Sequence, residues 1–271
     1  MEKIRRKSLL YRSGLGFWCI NHVLGCAHSC RYPCYAYLMA KHYGRTRDWS
    51  DWRRPRLVEN AVELLERELA TKGSKTRACA PESRAHAGSG TLTGQRAHVD
   101  DVHLCLTTDP FMMGYPEVSA LSLALVERMN ARDVRASVLT KGILPSELAG
   151  PRFNRRNTLG ISLVSLDEGF RRRFEPGAAP YVERIAALER LHAAGCRTLV
   201  HIEPYPTPNI VRQDVEPLLE AVAFVDELYF GGWNYSSLPG ASRDPDGFYR
   251  SQGHIVRAFC EQHNIAAMIG C

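Results

Sequence analysis

Three cysteines in one short stretch, Cys26, Cys30 and Cys34 of GCAHSCRYPCYAYLMA, are the residues of this chain whose type and spacing point most directly to chemistry. Iron–sulfur clusters are held by cysteine thiolates, and a cubane of four irons takes four of them. Three thiolates on one loop leave one iron uncovered, free to bind a substrate or a cofactor. A structural metal site is instead closed by a fourth ligand. Cys19, His22 or His28 could supply one, so zinc or a closed cluster is the alternative. Structural zinc usually pairs two ligand dyads, and no second dyad is visible here.

The stretch resembles the cluster-binding loop of the radical S-adenosylmethionine (radical SAM) enzymes. That family places three residues between the first two cysteines and two before the third. Cys26 and Cys30 have this spacing, whereas Cys30 and Cys34 stand one residue further apart, with Pro33 as the insertion. The flanking letters, GCAHSCRY and CYA, are similar to the branch that contains spore photoproduct lyase. The resemblance implies a 4Fe–4S cluster on Cys26, Cys30 and Cys34, with S-adenosylmethionine chelating the open iron. It implies a flavodoxin or ferredoxin-type electron donor, and a 5′-deoxyadenosyl radical acting on an unknown substrate. The aromatic residue before the third cysteine helps to seat the adenine in that family, a role for Tyr32 unless it passes to Pro33. Two rival readings accompany this one. The first is a DNA-repair lyase of the spore photoproduct type. The second is a non-catalytic nucleic-acid-binding module built on zinc or an iron–sulfur cluster.

Further candidates lie at the ends of predicted strands. In TTDPF, Thr108, Asp109 and Pro110 match the T-D-P of the photoproduct-lyase-like branch, where a carboxylate holds the methionine ammonium. Asp-Pro after a strand is also a common turn start. Lys141 in LTKG could meet the methionine carboxylate or a substrate anion, and Ser162 or Ser165 in GISLVSLDE could bond ribose hydroxyls. Glu203 in HIEPYPTPN lies on or just after a strand, where a buried carboxylate is costly unless paired, which makes it a site candidate. His201 reads as a structural hydrogen-bonder. FGGWNY, from Phe230 to Tyr235, could frame the adenine or the substrate mouth. Cys105, Cys196, Cys260 and Cys271 are available as hydrogen donors, but none sits in the family's local pattern.

The elements that must position these residues alternate. Predicted strands cover Phe17–Val23, Val102–Thr108, Arg135–Thr140, Leu159–Leu163, Thr198–Ile202 and Glu227–Phe230, with a strand-like AAMIG at the end. Between them, Tyr35–Tyr43, Leu57–Leu69, Glu117–Met129, Tyr181–Ala194, Val215–Val222 and Phe248–His263 have helical spacing. Continuous apolar strands alternating with helices imply a parallel sheet buried on both faces. The fold class expected is therefore α/β, a partial (β/α)6-type barrel in one domain of residues 1–271. It carries a loop insertion at 73–100, rich in Gly, Ser, Thr and Ala, and a C-terminal extension at 232–271. β/α barrels carry functional residues at the C-terminal ends of their strands.

Composition narrows the class. No apolar run approaches a membrane span, and the basic N-terminus lacks the apolar core of a secretory signal. Nine cysteines, an odd count, read as thiols and ligands in a reducing cytoplasm. The net charge of +6 gathers in clusters able to neutralise phosphates, so nucleic acid is a possible substrate.

Overall fold

A computed structural model describes residues 1–32, 34–72, 99–234 and 244–270. The expectations placed on Pro33, Tyr235, Cys271 and most of the 73–100 insertion lie outside these residues. The chain opens with β1 (Glu2–Ile4), β2 (Leu10–Arg12), β3 (Trp18–Ile20) and β4 (Val23–Leu24), followed by α1 (Tyr35–His42), α2 (Trp49–Trp52), β5 (Arg56–Val58) and α3 (Ala61–Lys72). The alternating body comprises β6 (Asp101–Leu104), α4 (Pro116–Asn130), β7 (Arg135–Thr140), β8 (Thr158–Ser162), α5 (Glu168–Phe174), α6 (Tyr181–Ala193) and β9 (Arg197–Tyr205). It closes with α7 (Glu216–Glu220), β10 (Glu227–Gly232), α8 (Pro245–His263) and β11 (Ala266–Ile269).

The main sheet has the order β11-β10-β9-β8-β7-β6-β3-β2. From β3 to β11 every pairing is parallel, and β2 caps the edge antiparallel to β3. Neighbours in the sheet follow chain order with no reversal. A doubly wound sheet reverses its order at a switch point; one without reversal winds in a single sense and curls towards a barrel. The class is α/β, a partial barrel, with seven parallel strands. The described part of the expected C-terminal extension belongs to this sheet, because α8 delivers β11 to pair with β10.

Two expectations for the first third of the chain are corrected. Leu57 and Val58 are not helical: they lie in β5, which pairs with β1 and β4 in a separate three-stranded sheet. The stretch Phe17–Val23 is broken into β3 and β4 around Asn21 and His22.

Each helix buries the stripe that its spacing defines. In α6 the buried residues are Tyr181, Arg184, Ala187, Leu188 and Leu191, a three-to-four repeat facing β8 and β9. α8 begins at the Asp244 cap, which accepts from the Gly247 amide, and ends at Asn264 in the left-handed region, φ 57°. The core between helices and sheet is built from the strands' Val, Ile and Leu residues, among them Val102, Leu104, Val138, Ile161, Val200, Ile202 and Leu228.

Candidate functional site

The cysteine loop is clamped on both sides. Gly25 has a φ of +94°, and a Cβ there would lie 2.6 Å from the Trp52 carbonyl, so only glycine fits. The Cys26 amide donates to that same carbonyl at 3.0 Å, and the Thr108 hydroxyl donates to the Gly25 carbonyl at 2.6 Å. From the other side the Gly177 amide donates to the His28 carbonyl at 2.9 Å. A Cβ at Gly177 would come within 2.4 Å of the Ala27 carbonyl. Arg31 donates its amide to the Phe174 carbonyl, and Arg53 reaches the Ser29 hydroxyl. Cys34 then caps the N-terminus of α1.

Cys30 is buried, Cys26 and Cys34 are half-buried, and the three thiols lie in one another's electrostatic field. Burial first, then Asp109, Cys30 and Cys34, push Cys26 well above the usual thiol range. Burial and the Glu175 carboxylate push Cys30 up to about 12. Burial raises Cys34, against the pull of the Tyr37 and Ala36 amides in the first turn of α1. Thiols in this state are inert alone, and a coordinated metal deprotonates them outright. Among the described residues no three His, Cys, Asp or Glu side chains are placed to hold a single metal ion. One zinc needs its sulfurs drawn in to about 2.3 Å, whereas a cubane gives each thiolate its own iron. Of the three expected fourth ligands, Cys19 lies against Tyr11 and His22 lies between Cys105 and Ser122, whereas His28 stays in the loop, its amide bonded to the Cys26 thiol. The chemistry of the donor set, three soft thiolates on one loop, fits an iron–sulfur cluster.

Asp109 stands at the strand tip as expected, but its carboxylate is spent inside the protein. Oδ1 accepts from the Phe111 amide at 2.9 Å and the Thr140 hydroxyl at 2.6 Å, and Oδ2 accepts from the Lys141 amide at 2.8 Å. His28 Nδ1 faces Oδ2 at 3.4 Å, while its buried Nε2 has no partner. A carboxylate offers about four acceptor positions, and these four neighbours fill them. Asp109 thus ties the cysteine loop to the ends of β6 and β7. Thr108, committed to Gly25, does the same work.

Under the site lies a charge network that sequence reasoning missed. Glu175 is fully buried, and its Oε1 accepts from the Tyr32 hydroxyl at 2.6 Å and faces Lys141 Nζ at 3.4 Å. Its Oε2 accepts from Arg184 Nη2 at 2.8 Å, a pair with no exposed side-chain surface. Burial alone would raise the Glu175 carboxyl, but Lys141, Arg184 and the Tyr32 hydroxyl outweigh it and hold it at about 2. The legible signal was Arg184, a charge in register with Tyr181, Leu188 and Leu191 on the apolar stripe of α6.

Above this network opens a cleft of about 700 Å3. Tyr32 and Cys34 line its cysteine-loop wall, and Lys141, Ser162 and Glu203 come from the ends of three successive strands. The structure thus brings together Tyr32, Cys34, Lys141, Ser162 and Glu203, whereas Thr108, Asp109, Cys26 and Cys30 lie behind that wall. Ser165 is turned away, donating to Gln213 at 2.7 Å. Burial raises Glu203, which accepts from Asn234 at 2.9 Å, and Gly231 leaves room for its carboxyl. His201 lines the cleft and stacks on Tyr229 at 4.2 Å. His103, Leu139, Leu199 and Tyr229 line it as well, missed because inward-facing strand positions resemble ordinary core. Leu15 and Phe17, from the β2–β3 turn, form the rim. Cys105 faces His22 and not the cleft; among the described residues Cys34 alone of the cysteines lines it.

No family model matches the chain. Among solved structures it superposes on a double mutant of spore photoproduct lyase with bound AdoMet and dinucleoside spore photoproduct. The TM-score is 0.64 at 16% identity, covering 98% of this chain and 80% of that one. The fold is that of spore photoproduct lyase. A tyrosine-to-phenylalanine mutant of that radical SAM enzyme gives a TM-score of 0.66 with the same coverage. Among curated proteins, the uncharacterized protein ORF301 of Acidianus two-tailed virus is 25% identical over 207 residues, 76% of this chain. The chain spans 61% of that relative's length.

Proposed function

We propose that this chain is a radical SAM enzyme, with Cys26, Cys30 and Cys34 as the ligands of a 4Fe–4S cluster and the adjoining cleft as the site for S-adenosylmethionine and substrate. The observation that carries the reading is the placement of a three-thiol loop against the strand tips of a partial barrel, with Cys34 opening onto the cleft. When bound, the cluster and S-adenosylmethionine supply reductive cleavage of the sulfonium bond, giving methionine and a 5′-deoxyadenosyl radical. The protein's part is binding, orientation and exclusion of water. The loop's backbone clamps fix the thiols, and Asp109 and Thr108 hold the loop to the sheet. Tyr32 supplies an aromatic wall, Lys141 a cation, and Ser162 and Glu203 polar contacts along the cleft. The electron would come from a flavodoxin or ferredoxin-type donor.

The test is anaerobic reconstitution with iron and sulfide, then dithionite and S-adenosylmethionine. The expected outcome is a brown protein with three to four irons per chain, in keeping with a cubane, that forms 5′-deoxyadenosine, and loss of both in Cys30→Ala. A colourless protein holding zinc would overturn the reading. So would a reconstituted cluster that yields no 5′-deoxyadenosine while a known radical SAM enzyme does under the same conditions.

A further inference from the structure

The buried pair Glu175–Arg184 has no part in the chemistry above, yet it is expensive. Two charges leave water completely, and apolar residues of similar volume would often serve stability as well or better. The pair's hydrogen bonds lead to the cleft wall or its supports. Arg184 donates Nε to the Ala179 carbonyl at 2.8 Å, Nη1 to the Ser162 carbonyl at 2.9 Å and Nη2 to Glu175. Glu175 holds Tyr32 and Lys141 from below. Tyr32, Lys141 and Ser162 come from the cysteine loop, the end of β7 and the end of β8, and all three line the cleft.

The charge count is uneven. One carboxylate faces two cations, so one positive charge is left over. Arg184 is sealed by its three partners, whereas Lys141 keeps 15% of its side chain exposed and meets Glu175 only at 3.4 Å. Lys141 is also the only lysine or arginine lining the cleft among the described residues. An ammonium has three donors, and Glu175 meets this one only as an ion pair. Without Arg184, Glu175 would close on Lys141 as a neutral pair and draw the cation down from the cleft.

We propose that Arg184 is a positioning residue: by neutralising Glu175 it keeps Lys141 unspent in the cleft, as the anchor for the carboxylate of the S-adenosylmethionine bound there. The inference rests on the radical SAM reading and adds to it the device that sets charge selectivity at the site.

Anaerobic calorimetry on the reconstituted protein tests it, with S-adenosylmethionine and its decarboxylated analogue, which differ only by the carboxylate. Wild type should prefer the carboxylated ligand by tenfold or more. Arg184→Met should lose most of that preference with little change in affinity for the analogue. Glu175→Gln/Arg184→Met, which removes both buried charges, should restore it to within about threefold of wild type. Lys141→Met should lose it in either background, and it leaves the Glu175–Arg184 pair in place, so it reports even if Arg184→Met alone fails to fold. Equal loss of both ligands in Arg184→Met, no recovery in the double variant, or an undiminished preference in Lys141→Met would each overturn the proposal. Wild type that binds neither ligand would instead sink the radical SAM reading itself.

Discussion

Asp109, marked by its pattern as a site residue, has a second role in the fold. Its position after β6 marks a site, but in the fold its oxygens accept from Phe111, Thr140 and Lys141 and face His28. A carboxylate so occupied supports a loop. Asp109→Asn puts an NH2 group towards the Lys141 amide or the Thr140 hydroxyl, setting donor against donor. With charge-assisted hydrogen bonds worth about 1.5–3 kcal/mol each, the variant should lose roughly 2–3 kcal/mol of stability in urea unfolding without ligand. Unchanged stability joined to weak S-adenosylmethionine binding would return Asp109 to the role of ligand. The three cysteines were legible because three thiols in nine residues have no packing explanation. Glu175 was not, because its meaning lies in contacts with Tyr32, Lys141 and Arg184 that no local window contains.

At the scale of elements, legibility followed length. α4, α6 and α8 each bury a stripe repeated over several turns, so spacing identified them. β1, β4 and β5 are three residues or fewer, and their pairing in a separate sheet is decided by partners distant in sequence. Leu57 and Val58 read as the start of a helix because two apolar residues fit either period. The cysteine loop depends on elements in the same non-local way, since its far clamp, Gly177, follows α5, about 150 residues along the chain from Ala27. Adding one methyl there would force the Ala27 carbonyl aside from a 2.4 Å contact. Overpacking of this kind costs about 1–3 kcal/mol. Gly177→Ala should therefore lower the melting temperature and, in proportion to protein still folded, reduce iron uptake on reconstitution. Stability lost with full iron uptake would show that the clamp serves only the fold and not the thiol geometry.

Across the whole molecule, the buried histidines and thiols are kept neutral, and this sets its response to pH. Burial holds His22 at about 3 and His103 at about 4. Burial, then Lys141 and His103, hold His201 at about 3. The His22 contacts agree with a neutral ring: the Ser122 hydroxyl donates to the Pro110 carbonyl and so accepts from Nε2, leaving Nδ1 to face the Cys105 thiol. Unfolded histidines titrate near 6.5, so below that value the unfolded chain takes up protons that the folded chain refuses. Stability should fall as pH drops from about 6.5 towards 4, by up to about 1.4 kcal/mol per pH unit for each such histidine. Glu175, held at about 2 against about 4.3 unfolded, adds stability above its unfolded value and withdraws it as pH falls further. On the alkaline side the signs reverse. Cys26, Cys30 and Cys34 are raised above the free thiol, so the unfolded chain loses their protons first, and metal-free protein should weaken as pH rises past about 8.5. Urea unfolding of the metal-free chain from pH 4 to 10 should trace a dome with its top near pH 7–8. Loading the thiols with metal should remove the alkaline limb and leave the acid limb of the histidines in place. A metal-free chain whose stability stays level from pH 7 to 5 would show that these histidines are not kept neutral by burial.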